Sequence, residues 1–232
     1  MRYIIVPGLD LATSLEAQEL AHRFEPVFFA AGVHPAEAKD NSGFDAQEFF
    51  ARFTGDPKLV GVGEIGLDAH HDREALPMQI KLLLPQLEYA TNAGLPVILH
   101  HRDAGKTLVE EIGRFPGLRG VFHCFDGSRK LLKYARDNRF YIGIGGNVTY
   151  ETAHNIHSQL AAIPGDLLVV ETDAPFMPPG DARGQRECVP ADVSAVASTI
   201  ARRLALLENM LRITTSRNSC KLFGLPGDAY GA

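Results

Sequence analysis

The 232-residue chain has no tryptophan and only three cysteines, Cys124, Cys188 and Cys220, which lie far apart. So few, and odd in number, they give no disulfide framework, and a reducing cytoplasm is the expected setting. No run approaches the roughly 20 apolar residues that a membrane span needs. The short apolar stretch after Met1-Arg2 ends at Pro7-Gly8 and is too brief for a secretory signal. Basic charge is not in excess either. The formal net charge is −5, so any nucleic-acid partner needs a local basic patch or a bound cation to offset the acidic whole. Glycine-rich phosphate loops are missing: Gly143, Gly145 and Gly146 come nearest, but they fall within or just after a strand-like segment. There is no repeat of fixed period, no low-complexity tract and no linker, so a single domain over 1–232 is expected.

What the chain does have is an ordinary apolar share, 45%, enough for a buried core. Short apolar, β-branched segments recur, each followed by a longer segment with helical spacing. Strands are predicted at 3–6, 28–33, 59–63, 96–100, 120–122, 141–145 and 168–171. Most are continuously apolar, as parallel strands covered on both faces are. Thr13 and Glu16 read as a capping pair leading into Leu15, Leu20, Ala21 and Phe24. After Pro77, Ile80, Leu83, Leu84 and Leu87 share a face that Gly94 terminates, and Pro85 inside the helix removes one ladder bond and should kink it. Ser128 caps a helix carrying Leu131, Leu132 and Ala135. Pro190 opens a last long helix with Val193, Val196, Ala197, Ile200 and Leu204 as its stripe. Strict β-then-α alternation without a phosphate loop favours a (β/α) barrel over an open doubly wound sheet.

The ionisable residues settle where chemistry is expected. Glu64, His100, His123 and Asp173 each fall at the C-terminal end of a different predicted strand, the rim on which barrel enzymes build active sites. Two imidazoles and two carboxylates make a mixed N/O set for a divalent cation, and no cysteine belongs to it. An ion with open positions acidifies water or clamps a phosphoryl oxygen, so hydrolysis is the natural reaction class.

At these positions the sequence resembles the TatD-type metal-dependent deoxyribonucleases. The blocks are Gly-Val-His-Pro (32–35), Gly-Glu-Ile-Gly-Leu-Asp (63–68), Val-Ile-Leu-His-His-Arg-Asp-Ala (97–104), Phe-His-Cys-Phe-Asp-Gly-Ser (122–128), Tyr-Ile-Gly-Ile-Gly-Gly (141–146) and Glu-Thr-Asp-Ala-Pro (171–175). Ile-Ile-Val-Pro-Gly (4–8) and Cys-Lys-Leu-Phe-Gly (220–224) also fit. The resemblance implies a TIM-barrel hydrolase of the amidohydrolase type with one or two divalent ions. It makes Glu64, His100, His123 and Asp173 metal ligands, Glu64 touching both ions and Asp173 beside the attacking water. Family members normally open with a strand ending in His-x-His, and no His-x-His occurs here. Seven of eight strands are therefore recognisable and the first is missing, through a late start or a naturally depleted site. The expected consequences are a weak or absent second ion, low turnover on DNA, and open barrel edges that are filled by rearranged chain, filled by another subunit through self-association, or left visibly open.

Other residues divide by position. His34, just before Pro35, faces substrate or packs at the rim; Arg102 holds a phosphate or enters a salt bridge with Asp103 or Glu110. Strand alternation turns His101 away from His100. His70 and His71 read as a solvated loop, and His154 and His157 as a wet helix face. Cys124 reads as a small core residue facing the helix layer. Arg129, Lys130, Arg183 and Arg186 are candidates for a cationic rim along a nucleic-acid backbone, while no aromatic platform for bases stands out. The resulting expectation is a divalent-metal (Mg, Mn or Zn) deoxyribonuclease acting on phosphodiester bonds, with Asp173 and Glu64 catalytic and His34 and Arg102 binding substrate. Two competitors stay open: an ester or amide hydrolase, such as an aminoacyl-tRNA deacylase, on the same scaffold, and a weakly active or non-catalytic remnant.

Overall fold

The computed structural model describes residues 2–70 and 73–226, so the prediction for His71 lies outside the described residues. The chain divides into two compact units, 1–121 and 122–232. In the first, parallel strands β1 (Ile4–Pro7), β2 (Val27–Ala31), β3 (Leu59–Asp68) and β4 (Val97–Arg102) lie side by side in that order. Between them run α1 (Leu11–Arg23), α2 (Ala46–Ala51) and α3 (Leu76–Ala93), with α4 (Gly105–Ile112) after β4. All five residues of β2 are buried, which explains its uninterrupted apolar sequence. Strand β5 (Gly120–Phe122) lies at the division. The second unit holds α5 (Arg129–Asn138), β6 (Tyr141–Ile144), α6 (His154–Gln159), β7 (Leu168–Val170), α7 (Val193–Leu204) and α8 (Glu208–Phe223), with β6 and β7 parallel. All seven expected strands are present. The fold class is α/β, as the alternation predicts.

The details correct several expectations. Asp10, not Thr13, caps α1: its Oδ1 accepts the Thr13 amide at 2.8 Å, and the Thr13 hydroxyl accepts the Asp10 amide at 3.0 Å. The helix buries Ser14, Ala17 and Ala21, leaving Leu15, Leu20 and Phe24 exposed. Small residues face the sheet there, so the large apolar ones turn outward. Strand β3 does not stop at Gly63 but continues through Glu64 to Asp68. The helix expected after Pro190 is present as α7, but it is not the last: α8 follows it unannounced. Helix α8 buries Leu211, Thr215, Asn218 and Leu222, and with two polar residues among these it carries no apolar stripe to announce it. The Asn218 amide group donates to the carbonyls of Gly165 (2.8 Å) and Leu168 (2.7 Å), tying α8 to the start of β7. Other signals hold: Gly94 ends α3, and Ser128 caps α5 through the Leu131 amide; Pro85, where a kink is expected, lies inside a helix that runs from Leu76 to Ala93 without a break.

A buried polar clamp fixes the chain just before His34. Gln86 on α3 is fully buried; its Oε1 accepts the Val33 amide at 2.8 Å and its Nε2 donates to the Val33 carbonyl at 3.1 Å. Two irregular backbone groups are thereby satisfied where no strand partner reaches them. Replacing Gln86 by Leu leaves both without that partner, and each buried orphan costs about 1–3 kcal/mol. Gln86→Leu should therefore lower unfolding free energy by about 2–4 kcal/mol, read as a fall in denaturation midpoint at unchanged m value.

Candidate metal ligands and catalytic residues

In the first unit, Glu64 and His100 come together as expected, with His34 and Asp68 beside them. His100 Nδ1 lies 3.0 Å from Glu64 Oε1, and its Nε2 3.2 Å from Asp68 Oδ2. Strand periodicity explains the pair of carboxylates: in β3, residues 64, 66 and 68 share one face. Both carboxylates are buried, 7% and 8% exposed. Two carboxylates withdrawn from water against one imidazole need positive charge nearby. His34, Glu64 and His100 each place a donor atom within 4.8 Å of the others. These N and O donors fit a divalent cation.

His34 stands differently. Its Nδ1 accepts the Ala36 amide at 3.1 Å, so in the neutral ring the proton sits on Nε2, which faces Glu64 Oε1 at 3.8 Å. It packs edge-on against His100, ring centroids 4.5 Å apart. In that tautomer Nε2 is a hydrogen-bond donor turned toward Glu64. Arg102 ends β4 and is exposed; Asp103 pairs with His70 (2.8 Å) and Glu110 with Lys106 (3.7 Å). His101, next to His100, is buried at 7% exposure.

In the second unit, His123 and Asp173 meet, and Glu171 joins them. His123 Nδ1 lies 3.0 Å from Glu171 Oε2, and Nε2 3.4 Å from Asp173 Oδ1. Asp173 reaches this position through a left-handed backbone, φ 59°. Cys124 departs from its expected place in the core. It is half-buried, and its thiol lies in one potential ligand group with His123 and Glu171, with Sγ 3.8 Å from Met177 Sδ. The reason is local: β5 ends at Phe122 and Cys124 takes φ 48°, so strand alternation no longer sets its direction. Sequence reasoning missed Asp68 and Glu171. For Asp68 the signal was present, since it stands four residues from Glu64 in the same strand; Glu171 lies past the end of β7, where strand periodicity gives none.

The proposed cationic rim is only partly available. Arg186 grips Asp192 with two bonds of 2.8 and 2.7 Å and holds that carboxyl well below the usual range. Burial, aided by Asp192, pushes the Cys188 thiol up to about 11, so at neutral pH it is an inert core group. Arg183 lies over the Tyr150 ring, 4.6 Å from its centroid, and Phe176 nearby is 64% exposed. An aromatic surface the sequence did not announce thus exists beside Asp173. His157 Nε2 donates to the Val148 carbonyl (2.8 Å), a structural contact. Among the described residues no disulfide joins the three cysteines, and no helix is long and apolar enough to cross a membrane.

Alternating strands and helices with imidazole–carboxylate groups at strand ends define a metal-dependent hydrolase of the (β/α) barrel class. The chain belongs to the TatD-related DNase family, whose model matches residues 1–224. It is 32% identical over 223 residues to the uncharacterized metal-dependent hydrolase YabD of Bacillus subtilis, covering 95% of this chain and 86% of that protein. It is likewise 32% identical to the 3'-5' ssDNA/RNA exonuclease TatD of Escherichia coli K12, covering 96% and 87%. The crystal structure of YjjV, a TatD homologue from Escherichia coli K12, matches with a TM-score of 0.90 at 30% identity, covering 97% of this chain and 88% of that one.

Proposed function

We propose that this hydrolase is a deoxyribonuclease, a single catalytic domain cleaving phosphodiester bonds of DNA in the cytoplasm. Glu64, His100, His123 and Asp173 are its ligands to one or two divalent cations, of Mg, Mn or Zn. The observation that carries the metal is the pair of buried carboxylates, Glu64 and Asp68, on His100. Likeness to a named exonuclease over 96% of the chain supports the substrate. Bound divalent metal supplies Lewis acidity toward water and phosphate oxygen.

The side chains do the rest. Asp173, partly open to solvent at its strand end, accepts the proton of the attacking water. Glu64 fixes the Nδ1 edge of His100 and holds negative charge where the cation is needed. His34 offers its Nε2 proton to a phosphate oxygen, and the exposed Arg102 supplies a forked donor to a neighbouring phosphate. Single-stranded DNA, duplex DNA, an aminoacyl ester and a simple phosphodiester, assayed side by side with and without chelator, test the reading. Chelator-sensitive release of nucleotides from DNA is expected. Hydrolysis of the ester alone would assign the scaffold to the other reaction class.

A further inference from the structure

The Glu171 carboxylate is not among the four ligands, yet both of its oxygens are engaged. Its Oε2 meets His123 Nδ1 at 3.0 Å, and its Oε1 accepts the Cys124 backbone amide at 2.5 Å. Its own backbone amide donates to the Ile144 carbonyl at 3.0 Å, fixing the base of the side chain to β6. The neighbouring strand makes room for the head group. A Cβ on Gly143 would stand 2.6 Å from Glu171 Oε2, so no other residue leaves the carboxylate where it is. Both oxygens are thus committed as acceptors, one to a backbone donor that cannot move away.

We infer that Glu171 is a positioning residue that holds His123 in the Nδ1–H tautomer, leaving the Nε2 lone pair beside Asp173 for a cation. With the proton on Nδ1, two electron-pair donors, His123 Nε2 and Asp173 Oδ1, face each other at 3.4 Å. A cation between such donors replaces repulsion with ligation. A carboxylate behind a ligating imidazole also raises its basicity and fixes its ring plane. The inference rests on the reading of His123 as a ligand and adds which acid sets its proton.

Glu171→Gln makes a sharp prediction because an amide has only one oxygen. The Cys124 amide claims that oxygen, and the NH₂ group then faces His123 Nδ1, which must become an acceptor. Nitrogen-15 NMR of histidine-labelled, metal-free protein, well above the ordinary imidazole pKa of about 6.5, reads the tautomer directly, with His123 assigned by its loss in His123→Gln. Wild type should show Nδ1–H, and Glu171→Gln should show Nε2–H. Divalent-metal affinity of Glu171→Gln, measured by calorimetry, should fall about 10–100-fold. Gly143→Ala, which displaces the carboxylate without removing it, should show the same loss. An Nε2–H tautomer in the wild type overturns the inference without recourse to any variant, as does a Glu171→Gln protein that keeps both the wild-type tautomer and its affinity. Unchanged metal affinity in His123→Gln would instead sink the ligand reading, leaving the tautomer result to stand alone.

Discussion

Alanine at Glu64 or at His123 should remove divalent-dependent DNA cleavage while the protein stays folded. The loss expected is more than about 100-fold in kcat/KM, since even partners behind a metal ligand cost about 10–100-fold. Stability should respond unequally. Glu64 is a buried carboxylate placed 3.0 Å from one nitrogen of His100, whose other nitrogen meets a second buried carboxylate. Removing one of two crowded anions relieves desolvation and repulsion, so the metal-free Glu64→Ala protein should melt no lower than wild type. His123 holds contacts to both Glu171 and Asp173, and His123→Ala should cost about 1–3 kcal/mol. Steady-state assays with added divalent ion and thermal melts without it are the measurements. Undiminished turnover in both variants would place the activity elsewhere in the chain.

The largest expected effect on folding comes from Gly66→Ala. Gly66 sits in the middle of β3 with φ 150°, and a Cβ there would lie 2.0 Å from the carbonyl oxygen of His100 on β4. Backbone meets backbone, so no side-chain rotation relieves the clash. Strand β3 must separate from β4 at the register pair Gly66–His100 or leave its conformation. The cost should be about 3 kcal/mol or more, roughly a 10 °C fall in Tm for a chain of this size. Activity should fall with it, because the strand carrying Glu64 and Asp68 is the one displaced from His100. Gly43→Ala is the control: nothing lies within 4 Å of its added Cβ, and its melting temperature should not move. Equal Tm values for the two variants would mean that the close approach of β3 to β4 is not obligatory.

Pattern carried much of the fold. Seven runs of apolar, β-branched residues became seven strands, most within one or two residues of their expected bounds, because a strand buried on both faces must be apolar throughout. Helix α8 escaped notice because its contacts run through Asn218 and Thr215, whose polarity hides burial from any hydrophobic count. Helix α1 misled in the opposite sense: Leu15, Leu20 and Phe24 look like a core stripe and are exposed, while serine and alanine face the sheet.

For the site, the sequence by itself determined which ionisable residues interrupt or closely follow the apolar strands, though not that β3 runs on past Glu64 to Asp68. Glu64, His100, His123 and Asp173 were legible because ligating side chains are rare amid apolar runs. Position along a strand, however, says nothing about which proton a ring carries or which acid touches it. Only tertiary structure set Asp68 on one nitrogen of His100. It alone placed Glu171 behind His123 in space left by a missing Cβ at Gly143. Hydrogen-bond direction depends on distances of a few ångströms between segments remote in the chain. Those distances are products of packing, and local sequence does not encode them.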